Sequence, residues 1–448
     1  MTNSSLFSTI VKIRTLFFYL LILFFPTQLS RHFWPDYSYL NGLRVDYLSP
    51  SLYFTDLLIW GVLFFDLFSW LLRFKKNSPG EKKFLLWKLS PGFIFLLAWG
   101  FLGLETFWAL NQTLALIKLI KIGEIAFVGY FFSRELGKSL NLKTTAILFG
   151  AGIIYESFLT IWQVIRQGSV GGLWWWLGER SFTASTPFIS QAIINNELIL
   201  RPYATLPHPN VLGGYLVVAL FLILFLYQGF TNRIKEKENV FLIFLLTLVF
   251  LATILTLSRV ALLVLLLSLF LLWLKNKTKI LTLVFTLLLM ASFGWYSVIW
   301  SRFTSLLDVD QQSYLIRLKF NDLALTLFNS HPFFGVGLNN FLLAAKNGLA
   351  ESSQIVRFLQ PAHDIYLLIA AETGLLGILL WGLLFFCAVK KIASESKTNN
   401  AFNLKIILLG QFLIFGLFDH YLYTLQQGLL LSSFIFGAIF SRTLNNSK

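Results

Sequence analysis

The chain has 448 residues, 56% of them hydrophobic and only 13% charged, with a mean hydropathy of +0.71, a composition that excludes a soluble globular domain. The net charge of +15 would suggest nucleic acid in a soluble protein, but here the basic residues sit in short loops between apolar runs, so no nucleic-acid partner is expected. A lone cysteine, Cys387, inside an apolar run excludes a disulfide framework or a cysteine-based metal site within one chain.

Taking about twenty apolar residues as one crossing predicts an all-α polytopic membrane protein of about twelve transmembrane helices, one integral membrane domain over 1–448. The segments fall near 15–30, 52–73, 90–109, 112–133, 144–166, 210–229, 239–257, 259–274, 279–300, 363–388, 403–420 and 424–441. The first follows Lys12 and Arg14 and lacks a small-residue cleavage site, which reads as a retained helix, not a removed signal peptide. Alternate loops carry the basic clusters, such as Lys75, Lys76, Lys82 and Lys83 after the second helix and Lys390 and Lys391 after the tenth. By the positive-inside bias these loops and both termini lie on the inner side. Trp residues near the ends of apolar runs read as interface anchors.

Two large segments then lie outside, at 167–209 and 301–362, the latter between the ninth and tenth helices. Within the second, residues 313–329 repeat apolar positions at helical spacing, which predicts a helix lying on the membrane face.

The polar chemistry gathers around these segments. His363 opens the tenth helix in QPAHDIYLLIAAETGLL, which also carries Glu372; an imidazole at a helix start is a directed, titratable group at the membrane surface, or a simple cap. Arg201 stands in LRPYATLPHPN before the sixth helix, and Arg259 stands in the very short turn of TLSRVALL. Arginine presents a planar fork that grips phosphate, so two of them near one outer pocket suit a lipid diphosphate; the plainer alternative is snorkelling. Arg302, Arg317 and Lys319 rank second, as additions to the same field or contacts for anionic headgroups. SHPFFGVGLNNF, residues 330–341, reads as a turn joining the surface helix to the next segment, and His331 and His208, each followed by proline, read as turn residues. No carboxylate or thiol stands near them at ligand spacing, so a zinc site is not expected. Asp56, Asp66, Glu105, Lys118, Lys121, Glu124 and Glu156 fall inside apolar runs. Lys118, Lys121 and Glu124 share one stripe, where they form an internal ion pair or mark a transport path.

With these residues in hand, the chain resembles the O-antigen ligase and O-antigen polymerase superfamily of bacterial envelope glycosyltransferases. The resemblance is best over 201–377 and rests on LRPYATLPHPNVLGG, TLSRVALL, SHPFFGVGLNNF and AHDIYLLIAAETGLLG in family order. It implies a GT-C-type membrane glycosyltransferase fold in the bacterial inner membrane, with its active site on the outer face and no metal or cofactor. The implied donor is an undecaprenyl-diphosphate-linked glycan, and the implied acceptor is a hydroxyl of another glycan or of lipid A core. By the resemblance His363 matches the essential histidine, as general base, and Arg201 and Arg259 match the two arginines that bind the donor diphosphate. The family usually has Asn after the histidine; here Asp364 either raises the imidazole pKa or only caps the helix. Ligase and polymerase share these motifs. A lipid-linked glycan flippase is the rival from another class; its support is the buried charges, and the chain lacks the inverted repeat such transporters carry.

Overall fold

The computed structural model describes residues 3–74, 91–194, 197–228, 236–276, 312–349, 359–395 and 400–442. Long helices dominate: α1 (Asn3–Leu23), α2 (Phe54–Phe74), α3 (Pro91–Glu105), α4 (Gln112–Glu135), α5 (Leu142–Arg166), α6 (Pro209–Gln228), α7 (Glu236–Leu255) and α8 (Arg259–Asn276). After the next described stretch come α9 (Gln312–Ser330), α10 (Phe341–Leu349), α11 (Ile365–Ala393), α12 (Asn400–Phe418), the single turn α13 (Tyr421–Thr424) and α14 (Gln426–Phe440). Six of the described helices are long and apolar enough to cross a membrane and three shorter apolar ones accompany them, so the chain is a polytopic membrane protein.

Each predicted segment coincides with a helix except 279–300, which lies outside the described residues, as does Arg302. The first differs in extent: α1 begins at Asn3, not near residue 15, and ends at Leu23 instead of residue 30. Its polar first turns stay helical although they are not apolar, and Pro26 disfavours helix in the residue before it. The helix predicted over 313–329 appears as α9, which packs on α11.

Helix α6 is the central post. It is apolar on every side, 89% of its apolar window is buried, and α5, α7, α8, α12 and α14 all pack against it. Close approach is set by the glycine pair of NVLGGY: a Cβ on Gly213 would sit 2.6 Å from that of Ala261, and one on Gly214 would overlap the Tyr421 hydroxyl.

One end of this bundle is covered by short irregular elements. Between α1 and α2, strands β1 (Ser30–His32) and β4 (Ser51–Tyr53) pair antiparallel, enclosing a smaller pair, β2 (Tyr39–Leu40) with β3 (Leu43–Arg44); these form a first cap. Between α5 and α6, strands β5 (Gln191–Ile194) and β6 (Glu197–Leu200) form a hairpin over the same end. Away from the caps, Arg14, Asp66, Arg134, Glu135 and Ser139 tie α1, α2 and α4 together by charge-assisted bonds of 2.5–3.3 Å.

The SHPFFGVGLNNF loop docks on α11 at a break in that helix. Gly374 leaves helical geometry at φ +63°, and the amides of Val336 and Gly337 donate to the carbonyls of Ala371 and Glu372, both at 2.9 Å. In return the Leu375 amide donates to the Pro332 carbonyl at 2.8 Å. A Cβ on Gly335 would overlap the Glu372 carbonyl, and one on Gly374 would overlap the backbone of Phe333, so two separate sequence motifs form one joint. Asn340 then bonds both ways with the backbone of Asn111, the N-cap of α4, at 2.7 and 3.2 Å.

Candidate active site

Beneath the caps lies a cavity of about 2190 Å³, lined by His363, Arg201, Arg259 and Arg317 together with His208, Asn210, Asp419 and His420. The structure therefore brings together the histidine and both arginines singled out in the sequence, and adds Arg317 from α9, Arg44 and Arg180 to the same lining.

Arg201 is held by the loop that carries it. That loop is pinned from below by two buried polar residues of α5. The amide oxygen of Gln163 accepts from the amides of Tyr203 and Ala204 at 2.9 and 2.7 Å, and the carboxylate of Glu156 accepts from the Thr205 amide at 3.1 Å and from its hydroxyl. The Arg201 guanidinium, 8% exposed, donates from Nε to the Thr256 carbonyl at 2.9 Å, from Nη1 to Ser190 Oγ at 3.0 Å and from Nη2 to Asn210 Oδ1 at 2.8 Å. A side chain fixed at three points is not snorkelling. Arg259 is the first residue of α8, after a turn in which Leu257 takes φ +53°.

His363 is 7% exposed; its backbone amide donates to Asn321 Oδ1 of α9 at 3.1 Å, and its buried Nδ1 has no partner among the described residues. Its ring packs against that of His420 with centroids 5.1 Å apart. Asp364 does not partner it. That carboxylate accepts from the amides of Tyr366 and Leu367 at 2.8 and 3.2 Å and is the N-cap of α11. The carboxylate that faces the imidazoles is Asp419, whose oxygens accept from the His420 amide at 2.9 Å and from Asn210 Nδ2 at 3.0 Å.

The electrostatics follow from burial among fixed charges. Burial, then Arg317 and His420, push His363 well below the usual histidine range against the opposing pull of Asp419. Burial also lowers His420 to about 4, and burial with Arg201 lowers His208 to about 3. For Asp419 burial works upward, but His420, His363 and Arg317 outweigh it and hold the carboxyl at about 2. At neutral pH the cluster is thus three neutral imidazoles around one carboxylate. The Thr424 hydroxyl donates to the His420 carbonyl at 3.1 Å, so the 2.7 Å contact between His420 Nδ1 and Thr424 Oγ1 assigns the ring proton to Nδ1 and leaves Nε2 as acceptor. His208 Nδ1 accepts from the Asn210 amide at 3.1 Å.

His363, Asp419 and His420 bring ligand atoms within 4.8 Å of one another, the donor set of a divalent metal site. This trio was invisible in the sequence, where 363 and 419 lie far apart. Arg44, Arg180, Arg201, Arg259 and Arg317 all line the same cavity, and their field opposes a metal cation there.

Of the remaining sequence candidates, Lys118 and Lys121 also line the cavity. Glu372 is buried on α11 outside the cavity lining and accepts from the Tyr423 hydroxyl at 3.0 Å. Lys118 donates to the Tyr423 carbonyl, Lys121 pairs with Asp56 and, at 3.5 Å, with Glu124, and Glu124 accepts from Trp60 at 2.5 Å. Glu105 is buried with neither oxygen hydrogen-bonded among the described residues. His331 is exposed, beside Ser330. His208, read as a turn residue, lines the cavity; Asn210, Asp419 and His420 were missed, the last two because they fall at the end of a predicted helix that stops at Phe418.

Compared with known families, residues 242–382 match the one described as O-antigen ligase. The matched segment runs from α7 to the middle of α11 and contains Arg259, Arg317 and His363, whereas Arg201, Asn210, Asp419 and His420 lie beyond it and join it only in the folded chain. A comparison with curated proteins gives no match.

Proposed function

We propose that the chain is an inverting, metal-independent glycosyltransferase of the O-antigen ligase type. It moves a glycan from a polyprenyl diphosphate, undecaprenyl diphosphate by family resemblance, to a sugar hydroxyl at the outer face of the bacterial inner membrane. The observation that carries this reading is one cavity holding the buried His363 imidazole together with Arg201, Arg259 and Arg317. Among the described residues, Arg134, Lys138, Lys143, Lys275, Lys390 and Lys391 stand at the helix ends away from the cavity, which supports an outer position for it.

His363 takes the proton of the acceptor hydroxyl as its oxygen bonds to the anomeric carbon. The bond from that carbon to the diphosphate breaks on the opposite face, and the diphosphate leaves with the electron pair. Arg201, Arg259 and Arg317 stabilise the charge that develops on it, the role a metal ion plays in other transferases. Asp419 stabilises the imidazolium formed on His363. Lys121, which would be central to a transport path, is instead neutralised by Asp56 and Glu124.

The test is to delete the gene in its host, compare envelope glycans with the polyprenyl-linked pool, and complement with wild type or His363→Ala. Complete glycans accumulating on polyprenyl diphosphate support the ligase, single repeat units accumulating there mean a polymerase of the same superfamily, and rescue by His363→Ala overturns the mechanism.

A further inference from the structure

The first cap, residues 30–53, was silent in the sequence and lies outside the ligase-family segment, yet it forms a wall of the same cavity through Asp46, Tyr47 and Tyr53. Both tyrosines are fixed by everything except their hydroxyls. The Tyr47 ring packs edge-on against His420 at 5.3 Å, and its carbonyl accepts from Asn339 Nδ2 at 3.1 Å. The Tyr53 ring lies under the Lys121 ammonium, 5.5 Å from the centroid, and its backbone amide donates to Asp56 at 2.8 Å. Neither hydroxyl makes a hydrogen bond with a described residue. Asp46 and Arg180 both stand close enough to act electrostatically on the two phenols. Arg180 is itself steadied over the Tyr203 ring at 5.3 Å and by the Pro207 carbonyl at 3.1 Å.

Rigid phenols with unused hydroxyls, one carboxylate and one guanidinium match the alternating donors and acceptors of a sugar ring at little cost in side-chain entropy. Position agrees. Tyr47, His420 and His363 follow one another ring to ring, while Arg201 is held by Ser190, Asn210 and Thr256 on other elements. Inverting displacement needs the nucleophile and its base on the face opposite the leaving group. We infer that Tyr47, Tyr53 and Asp46 form the acceptor-saccharide subsite, binding the sugar whose hydroxyl is presented to His363. This rests on the glycosyltransferase reading for its orientation, but not for saccharide binding itself.

The experiment measures binding to the full-length purified protein in nanodiscs with two probes, oligosaccharide released from host envelope glycans by mild acid and farnesyl diphosphate. Tyr47→Phe and Tyr53→Phe keep both rings and remove only the hydroxyls. Each is expected to weaken oligosaccharide binding by about tenfold, and Asp46→Asn by several-fold, with farnesyl diphosphate affinity unchanged. Unchanged oligosaccharide affinity in the double Tyr47→Phe/Tyr53→Phe variant overturns the inference, as does no oligosaccharide binding by a wild type that binds farnesyl diphosphate and transfers glycan. Tyrosine-dependent oligosaccharide binding by a wild type that transfers nothing upholds the saccharide site and overturns the glycosyltransferase reading.

Discussion

Arg201 and Asp419 are joined through one side chain: Asn210 accepts from Arg201 Nη2 at 2.8 Å and donates to Asp419 Oδ2 at 3.0 Å. The Arg201 guanidinium and the carboxylate that faces His363 are therefore held in one network. Displacement at either end is felt at the other.

In the proposed mechanism Asp419 supports His363 electrostatically, and the neutral imidazole takes the proton. The Asp419 charge opposes the burial and the Arg317 guanidinium that depress His363, so Asp419→Asn lowers the imidazole pKa further and weakens it as a base. In the wild type the acid limb of the pH–rate profile therefore lies below the ordinary histidine value of about 6.5, and in Asp419→Asn it moves lower still while the plateau rate falls by about tenfold or more. An acid limb that moves upward contradicts this assignment.

Arg201→Lys keeps the charge but not the fork that meets Thr256, Ser190 and Asn210 at once. Donor kcat/KM is expected to fall by about 1.5–3 kcal/mol, roughly tenfold to a hundredfold, with the acceptor KM little changed. Steady-state kinetics with each substrate varied in turn separates the two.

Chelation tests the competing use of the imidazole–carboxylate trio. Transfer is expected to persist after treatment with EDTA, because the arginines that line the cavity already supply positive charge to it. Stoichiometric zinc by elemental analysis, with activity lost on its removal and restored on its return, assigns the trio to a metal instead.

Two stability predictions address the scaffold. Gly374→Ala forces a side chain into the backbone of Phe333 at φ +63° and is expected to cost about 1–3 kcal/mol, whereas Gly382→Ala meets open space and is expected to be near neutral. Lys121→Met leaves the fully buried Asp56 carboxylate with its Gln426 amide bond but no counter-charge, a loss of about 3–5 kcal/mol that Lys121→Met/Asp56→Leu recovers in part. Thermal unfolding in detergent reads both; a destabilisation of Gly382→Ala equal to that of Gly374→Ala contradicts the joint at the α11 break.

The sequence exposes those parts of this site that short local motifs carry. Arg201, Arg259 and His363 each stand where an apolar run meets a polar turn, and the cavity gathers all three. Asp419 and His420 escape that reading because FDHYLY continues an apolar pattern, and only the end of α12 at Phe418 turns them into the cavity. Asn210 and Tyr47 gain their meaning from partners more than two hundred and three hundred residues away. Helix positions follow from hydropathy because apolar length is what a bilayer selects. The first helix departs from it where polar turns extend beyond the apolar run. The pairing of SHPFFGVGLNNF with the break at Gly374 is a tertiary fit between two backbones, and hydropathy carries no trace of it.

The most direct test of the account is single-turnover transfer by purified protein in nanodiscs, with polyprenyl-diphosphate-linked glycan from the host as donor, comparing wild type with His363→Gln. The account predicts that His363→Gln binds the donor as the wild type does while the transfer rate falls by about a hundredfold or more. Transfer at the wild-type rate by His363→Gln would show that His363 is not the base.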